Sequence, residues 1–268
     1  MQQRHFDRWQ YFTELANTTR KYYLDYLKPY ISITPDTKVL EIGCGEGGNL
    51  LPFAELGCYV KGIDLNAKQI ENAKNFFAKV GQKGDFCAEN FLNYPPESNE
   101  SNLFDLVLVH DCIEHIEPEG KVEFFTKIIP LLRENGIVFF GFPAWQMPFG
   151  GHQQICESKL CKIPFIHLLP TPLYRGVLKL AKENQGKIDE LLSIKRSKMP
   201  VEKFERLAKE TGYEIIDKQL WFINPHYEQK FNLKPRKLNK IIAKLPWIRN
   251  FFTTSAFYLL KCKNQKIL

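Results

Sequence analysis

The first thirty positions of this 268-residue chain lack any apolar run long enough to cross a bilayer, because Arg, Lys, Asp and Glu recur throughout them. A secretion signal or membrane span is therefore not expected there, and the protein is placed in the cytoplasm. A cysteine framework is missing as well. The seven cysteines, at 44, 58, 87, 112, 156, 161 and 262, are odd in number and scattered, which excludes a scaffold of complete disulfide pairs. Cys156 and Cys161 lie close, but no second such pair completes a zinc site, so no metal is expected. Internal repeats and low-complexity tracts are absent, which excludes solenoids and biased linkers. Acidic residues stop at Glu228; the ten Lys or Arg beyond it meet no Asp or Glu, while the first 228 residues carry 27 basic and 30 acidic groups. The net charge of +7 thus belongs to one end of the chain. No recognisable RNA-binding module accompanies that end, so nucleic acid ranks last among the partners.

What remains is an ordinary globular composition, 44% hydrophobic and 25% charged, enough for one large domain with additions. Aromatic and apolar residues recur at helical spacing from Arg4 to Ile31, predicting two helices that end near Pro29 and cover something. A strand and helix alternation follows, the pattern of a parallel sheet with helices on both faces. Strands are expected at Lys38 to Ile42, Tyr59 to Ile63, near Phe86, Phe104 to Val109 and Gly136 to Phe142. Helices are expected at Gly48 to Leu56, Ala67 to Lys79 and Pro118 to Leu132. The fourth strand is continuously apolar, as a strand buried on both faces should be.

The pattern then breaks. Prolines at 143, 148, 164, 170, 172 and 200, mixed with aromatic and basic residues, mark an insertion between Pro143 and Pro200. Val201 to Thr211 reads as a helix, Tyr213 to Leu220 as a sixth strand and Thr254 to Cys262 as the last. The division expected is a helical cap over 1–34, a core over 35–142 and 200–268, and an insertion over 143–199 that caps the acceptor.

The most informative segment is Val39-Leu40-Glu41-Ile42-Gly43-Cys44-Gly45-Glu46-Gly47-Gly48, an apolar strand running into glycines and then a helix. Such a turn lets a ligand approach backbone N–H groups. By itself it also satisfies the dinucleotide fingerprint, with Asp64 about 20 residues onward for a ribose. The carboxylates of Glu41 and Glu46 favour a cationic ligand over a pyrophosphate, by several kcal/mol where screening is poor.

These residues resemble motif I of the class I S-adenosylmethionine-dependent methyltransferases, written E-x-G-x-G-x-G. Other segments agree in order. Asp64 matches the family's acidic residue for the ribose hydroxyls, and Asn90-Phe91 the position that reads adenine. Phe104 to Ile116, ending in Ile113-Glu114-His115-Ile116, is similar to the fourth strand and its loop, and Leu132 to Val138 resembles the turn into the fifth strand. The resemblance is strong over 35–142 and weak over 200–262.

It implies a Rossmann-like α/β fold, a seven-stranded and mostly parallel sheet with helices on both faces, an N-terminal helical cap and an insertion after strand 5. It also implies S-adenosylmethionine as cofactor and S-adenosylhomocysteine as product. The expected cofactor contacts are Glu41, Gly43, Cys44, Gly45, Gly47, Asp64, Leu65, Asn90, Phe91, His110 and Asp111. Methyl transfer from a sulfonium is an in-line displacement needing proximity and exclusion of water. A hydroxyl acceptor adds the need for a base, and His152, His110 and His115 are the candidates, in that order. Trp145, Met147 and His152 are the candidate acceptor wall, beyond the fifth strand.

The acceptor class expected is a small molecule or a glycan, lipid-linked in one version. The stretch 234–249 mixes Lys and Arg with Leu, Ile and Trp, a composition able to form a helix lying on an anionic membrane, at its inner face. Two alternatives stay open: a cofactor-binding protein without catalysis, and a nicotinamide oxidoreductase using the same glycine loop.

Overall fold

The computed structural model describes residues 7–95 and 103–263. Asp7 opens the chain's first helix, α1 (Arg8–Thr18), by accepting the Gln10 amide at 2.8 Å. A π-helical turn (Thr19–Tyr23) joins it to α2 (Leu24–Leu27), so one nearly continuous rod replaces the two separate helices expected. Strand β1 (Lys38–Ile42), α3 (Leu51–Glu55), β2 (Tyr59–Asp64), α4 (Ala67–Lys79) and β3 (Asp85–Ala88) follow. Asn66 caps α4 by accepting the Lys68 and Gln69 amides.

Strand β4 (Phe104–His110) leads into α5 (Lys121–Ile128) and β5 (Leu132–Phe142). The helix expected over 118–132 is α only in its middle, with 3₁₀ turns at Pro118–Gly120 and Ile129–Leu131. Pro130, lacking an N–H, sits in the second turn and ends the regular ladder. The insertion contains α6 (Thr171–Leu180) and α7 (Gln185–Ser197), and the core resumes with α8 (Val201–Glu210) and β6 (Tyr213–Ile223). Then come α9 (His226–Phe231), β7 (Arg236–Lys237), α10 (Lys240–Ala243), α11 (Ile248–Phe252) and β8 (Ser255–Cys262).

The strands form one sheet in the order β3-β2-β1-β4-β5-β8-β6-β7. The first five are parallel, and β8 runs antiparallel to both β5 and β6. The Rossmann-like reading stands, with an eighth strand because two residues of the basic stretch, Arg236 and Lys237, pair with β6. The rest of that stretch is two short helices interrupted at Pro246, not the single amphipathic helix expected.

Period-2 alternation divides the central strands between two cores. Leu40, Ile42, Val107, Val109, Val138 and Phe140 face α5 and α8, while Val39, Leu106, Leu108, Ile137 and Phe139 face α1 to α4. The N-terminal rod is welded to the second core through Phe12, Tyr23, Tyr26 and Leu27. The insertion keeps a small core of its own, built of Cys156, Cys161, Tyr174, Leu178, Ile188 and Leu191. No described helix is long and apolar enough to cross a membrane.

Candidate functional site

Strand order reverses between β1 and β4, so their C-terminal ends open a crevice, the place where open α/β sheets bind ligands. A cavity of about 410 Å³ lies there, within the size range of small-molecule sites. Its wall includes Glu41, Gly43, Cys44, Gly45, Glu46, Asp64, His110, Asp111 and His115.

The glycine turn is shaped by contacts on both sides. Gly47 adopts φ +78°, and a Cβ on it would meet Phe86 at 2.8 Å. A Cβ on Gly48 would meet the Phe12 carbonyl oxygen at 2.6 Å, so the N-terminal rod can lie directly against the loop. Gly43 and Cys44 donate backbone N–H bonds to the Ile63 carbonyl, which locks the turn to the end of β2. Asp64 accepts the Gly45 amide with one oxygen and the Asn66 amide with the other, each at 2.8 Å, so its carboxylate is fixed at the cavity rim.

Glu41 is 1% exposed. One of its oxygens accepts from the Asn49 side chain at 2.7 Å, and the other has no hydrogen-bond partner. Burial raises its pKa to about 8, opposed by the Asn49 bond and reinforced by Asp64. In the free protein at neutral pH this carboxyl therefore holds a proton. Glu46 behaves differently, since Arg8 grips it with Nε and Nη2, both at 2.6 Å. The negative charge read at Glu46 is neutralised by an ion pair, which corrects the expectation that it faces a ligand as a free anion.

His110 ends β4, nearly buried, and its Nε2 lies 2.7 Å from the Tyr23 hydroxyl. That bond ties the N-terminal rod to the sheet. Asp111 follows with φ +47°, an unfavourable region for a non-glycine residue, and its carboxylate lies 3.5 Å from His110 Nδ1. His115 opens its ring to the cavity, yet enough protein surrounds it that desolvation lowers its pKa. Its ring meets that of His152 edge to face at 5.0 Å, bringing two of the three candidate bases together. His152 adopts φ +55°, and its pKa is lowered to about 3, first by burial and then by His115. Its Nε2 is 3.9 Å from Glu114, whose own carboxyl is pushed well above the usual range by burial and then by Asp111.

Other expected site residues lie elsewhere. Leu65 is largely exposed and does not border the cavity. Asn90 accepts the Leu92 amide and caps a 3₁₀ turn, while Phe91 is buried against Phe124. Trp145 and Met147 are buried, the Trp145 ring packed edge to face on His167, whose Nε2 is bonded to the Trp145 carbonyl at 2.8 Å.

Arg8, Tyr11 and Leu15 of α1, together with Asn49, Gln69 and Lys230, complete the cavity wall and were not singled out from sequence. Helical periodicity marks α1 as a covering helix, but no local motif says what it covers. The donor set suits a ligand with a cationic end near Glu41, whose buried oxygen lacks a partner, and hydroxyls near Asp64.

Comparisons agree with this architecture. Residues 39–136 match the family model described as a methyltransferase domain. A ubiquinone biosynthesis O-methyltransferase of Pelagibacter ubique is 36% identical over 103 residues, covering 38% of this chain and 40% of that protein. A sterol 24-C-methyltransferase of Schizosaccharomyces pombe is 30% identical over 125 residues, 46% of this chain and 31% of that protein. The chain thus spans well under two thirds of the length of these relatives. Among solved structures, an S-adenosylmethionine-dependent methyltransferase from Clostridium acetobutylicum superposes with a TM-score of 0.58 at 13% identity, covering 94% of this chain and 92% of that one. Residues 39–136 are accordingly similar to a methyltransferase domain, and the chain shares its fold with that solved methyltransferase.

Proposed function

We propose that the protein binds S-adenosylmethionine in the cavity at the ends of β1 and β4 and methylates a hydroxyl oxygen of a small-molecule or glycan acceptor. The observation that carries this reading is Glu41, a buried carboxyl beside the glycine turn with one oxygen left without a partner. An ammonium placed there would draw the proton off Glu41 and pair with the carboxylate, whereas a dinucleotide's pyrophosphate would find the same group repulsive once ionised. Asp64, with each oxygen already oriented by one backbone N–H, keeps lone pairs free for two ribose hydroxyls. Several relatives carry the name O-methyltransferase, and this supports an oxygen acceptor over carbon.

The cofactor supplies an electrophilic methyl; the protein holds the partners in line and excludes water. Tyr11 and Leu15 close the cavity from the rod side. His152, neutral at working pH, stands on the acceptor side and helps to position the acceptor hydroxyl. His152→Ala is expected to lower turnover by roughly tenfold or more while leaving S-adenosylhomocysteine affinity within about twofold. Unchanged turnover in a methyl-donor assay removes His152 from the reaction.

The acceptor reading extends to one attached to, or dissolved in, an anionic membrane. Ile241 is 73% and Trp247 61% exposed, and Leu245, Ile248, Phe251 and Phe252 are exposed beside them. Phe165 of the insertion lies 6.3 Å from Phe251, joining the two regions into one apolar patch, with Lys240 and Lys244 exposed next to it. Arg249 is excluded from that surface because it is buried in ion pairs with Glu202 and Glu205. The full chain is expected to float with anionic liposomes at low salt, and Lys240→Glu/Lys244→Glu to abolish flotation. Equal flotation with neutral liposomes contradicts the electrostatic part.

A further inference from the structure

Glu114 is 3% exposed, and neither of its carboxylate oxygens makes a hydrogen bond. An unpartnered buried carboxyl costs free energy and calls for an explanation. The Lys121 ammonium donates to the Ile113 carbonyl at 2.6 Å and makes no bond to Glu114. What faces Glu114 instead is a pair of imidazoles. One carboxylate oxygen of Glu114 and one ring nitrogen each of His115 and His152 all lie within 4.8 Å of one another, with Glu114 Oε1 and His152 Nε2 at 3.9 Å. His152 is held in the left-handed backbone region, φ +55°, where a residue other than glycine is strained.

We infer that Glu114, His115 and His152 form a binding site for one divalent transition-metal cation at the edge of the cavity. Two imidazoles and a carboxylate are a borderline donor set, suited to Zn²⁺, Mn²⁺, Fe²⁺ or Co²⁺ and not to Ca²⁺. Ligand bonds of about 2.0–2.2 Å at tetrahedral angles place donors roughly 3.4 Å apart around the ion. The 3.9 Å pair and the separations of up to 4.8 Å close to this spacing by rotation of the three side chains. Three protein ligands leave coordination positions open, and one of the three, His115, also borders the cavity.

The open position has a use, which rests on the oxygen acceptor proposed above. An acceptor hydroxyl bound to the cation loses its proton to solvent, and the resulting oxyanion is the nucleophile. Its electron pair forms the new O–CH₃ bond as the S–CH₃ bond breaks, and the sulfonium leaves as a neutral thioether. This departs from the sequence reading, which assigned no metal and took His152 as the first candidate base.

The test uses the full chain, stripped by chelator, and Co²⁺ as a visible probe. One equivalent of Co²⁺ is expected to give ligand-field absorption and to be displaced by Zn²⁺. Glu114→Gln and His152→Ala should each weaken Co²⁺ at least tenfold while S-adenosylhomocysteine binding, followed by calorimetry, stays within twofold. In wild-type protein, Zn²⁺ should shift the ring-proton resonances of two histidines and leave the others in place, a readout independent of whether the variants fold. Absence of stoichiometric binding, undiminished binding in the variants, or unshifted histidine resonances overturns the site. Metal binding without any S-adenosylhomocysteine heat would refute the methyltransferase reading and leave the metal site standing.

Discussion

Replacing Glu41 by Gln separates the charge of that group from its shape. In the free protein the carboxyl titrates at about 8, so below that pH it carries a proton. A ligand ammonium has an α-amino pKa of about 7.7–8.0 and stays cationic below it. If the bound state pairs the ammonium with an ionised Glu41, binding releases one proton, and affinity must fall as pH drops below 8. At pH 8 about half of Glu41 is already ionised and about half of the ammonium is neutral, so from pH 8 to pH 6 the net loss is roughly 25-fold, or about 1.9 kcal/mol. Calorimetric titration of S-adenosylhomocysteine in two buffers of different ionisation enthalpy measures both the affinity and the released proton. In Glu41→Gln the acid limb should vanish and the proton release near pH 6.5 with it. The same substitution should change stability with the opposite sense of pH. The folded carboxyl keeps its proton up to about 8 while the unfolded chain releases it near 4.5, so the group costs stability increasingly as pH rises between those values. Glu41→Gln should therefore gain melting temperature over wild type at pH 8 more than at pH 5. An acid limb that persists in the variant would refute the pairing.

Two further perturbations address the architecture around the cavity. Arg8→Ala strands Glu46, which is 1% exposed, without its cation; Arg8 is itself partly open to water, so a loss of about 1–3 kcal/mol in urea unfolding is expected, part of it recovered by adding Glu46→Gln. No change in the single variant contradicts a tight pair. Gly47→Ala combines a left-handed backbone, costing about 1–2 kcal/mol, with a Cβ 2.8 Å from Phe86, and should lose about 2 kcal/mol or more; a loss below 1 kcal/mol contradicts the packing described.

The parallel half of the sheet was legible because its signals are local. β1 and α4 begin and end where apolar runs and a capping Asn66 place them. β7 was not legible, since two charged residues at a sheet edge acquire strand geometry only from the neighbouring β6. The basic stretch misled in the same way: Arg249 reads as one more surface cation until the fold brings Glu202 and Glu205 to it from α8.

In the site, the glycine turn and Asp64 follow from spacing within one β-α-β unit. The protonation of Glu41 and the neutralisation of Glu46 do not, because each depends on a partner or a depth of burial fixed by distant segments. Arg8 is 38 residues from Glu46. Glu114 sits in the family-like loop, but its isolation from any hydrogen-bond donor is visible only in three dimensions. His152 drew notice because glycines and amides flank it, while its meeting with His115 is a product of the long crossing from β5 into the insertion.

The central claim is that the acid-lined crevice between β1 and β4 accepts a sulfonium donor and its product. Isothermal titration of the folded, full-length chain with S-adenosylhomocysteine, and in parallel with NAD, measures this directly. The account predicts saturable heat at one site per chain for S-adenosylhomocysteine and none for NAD. Heat from NAD alone contradicts it.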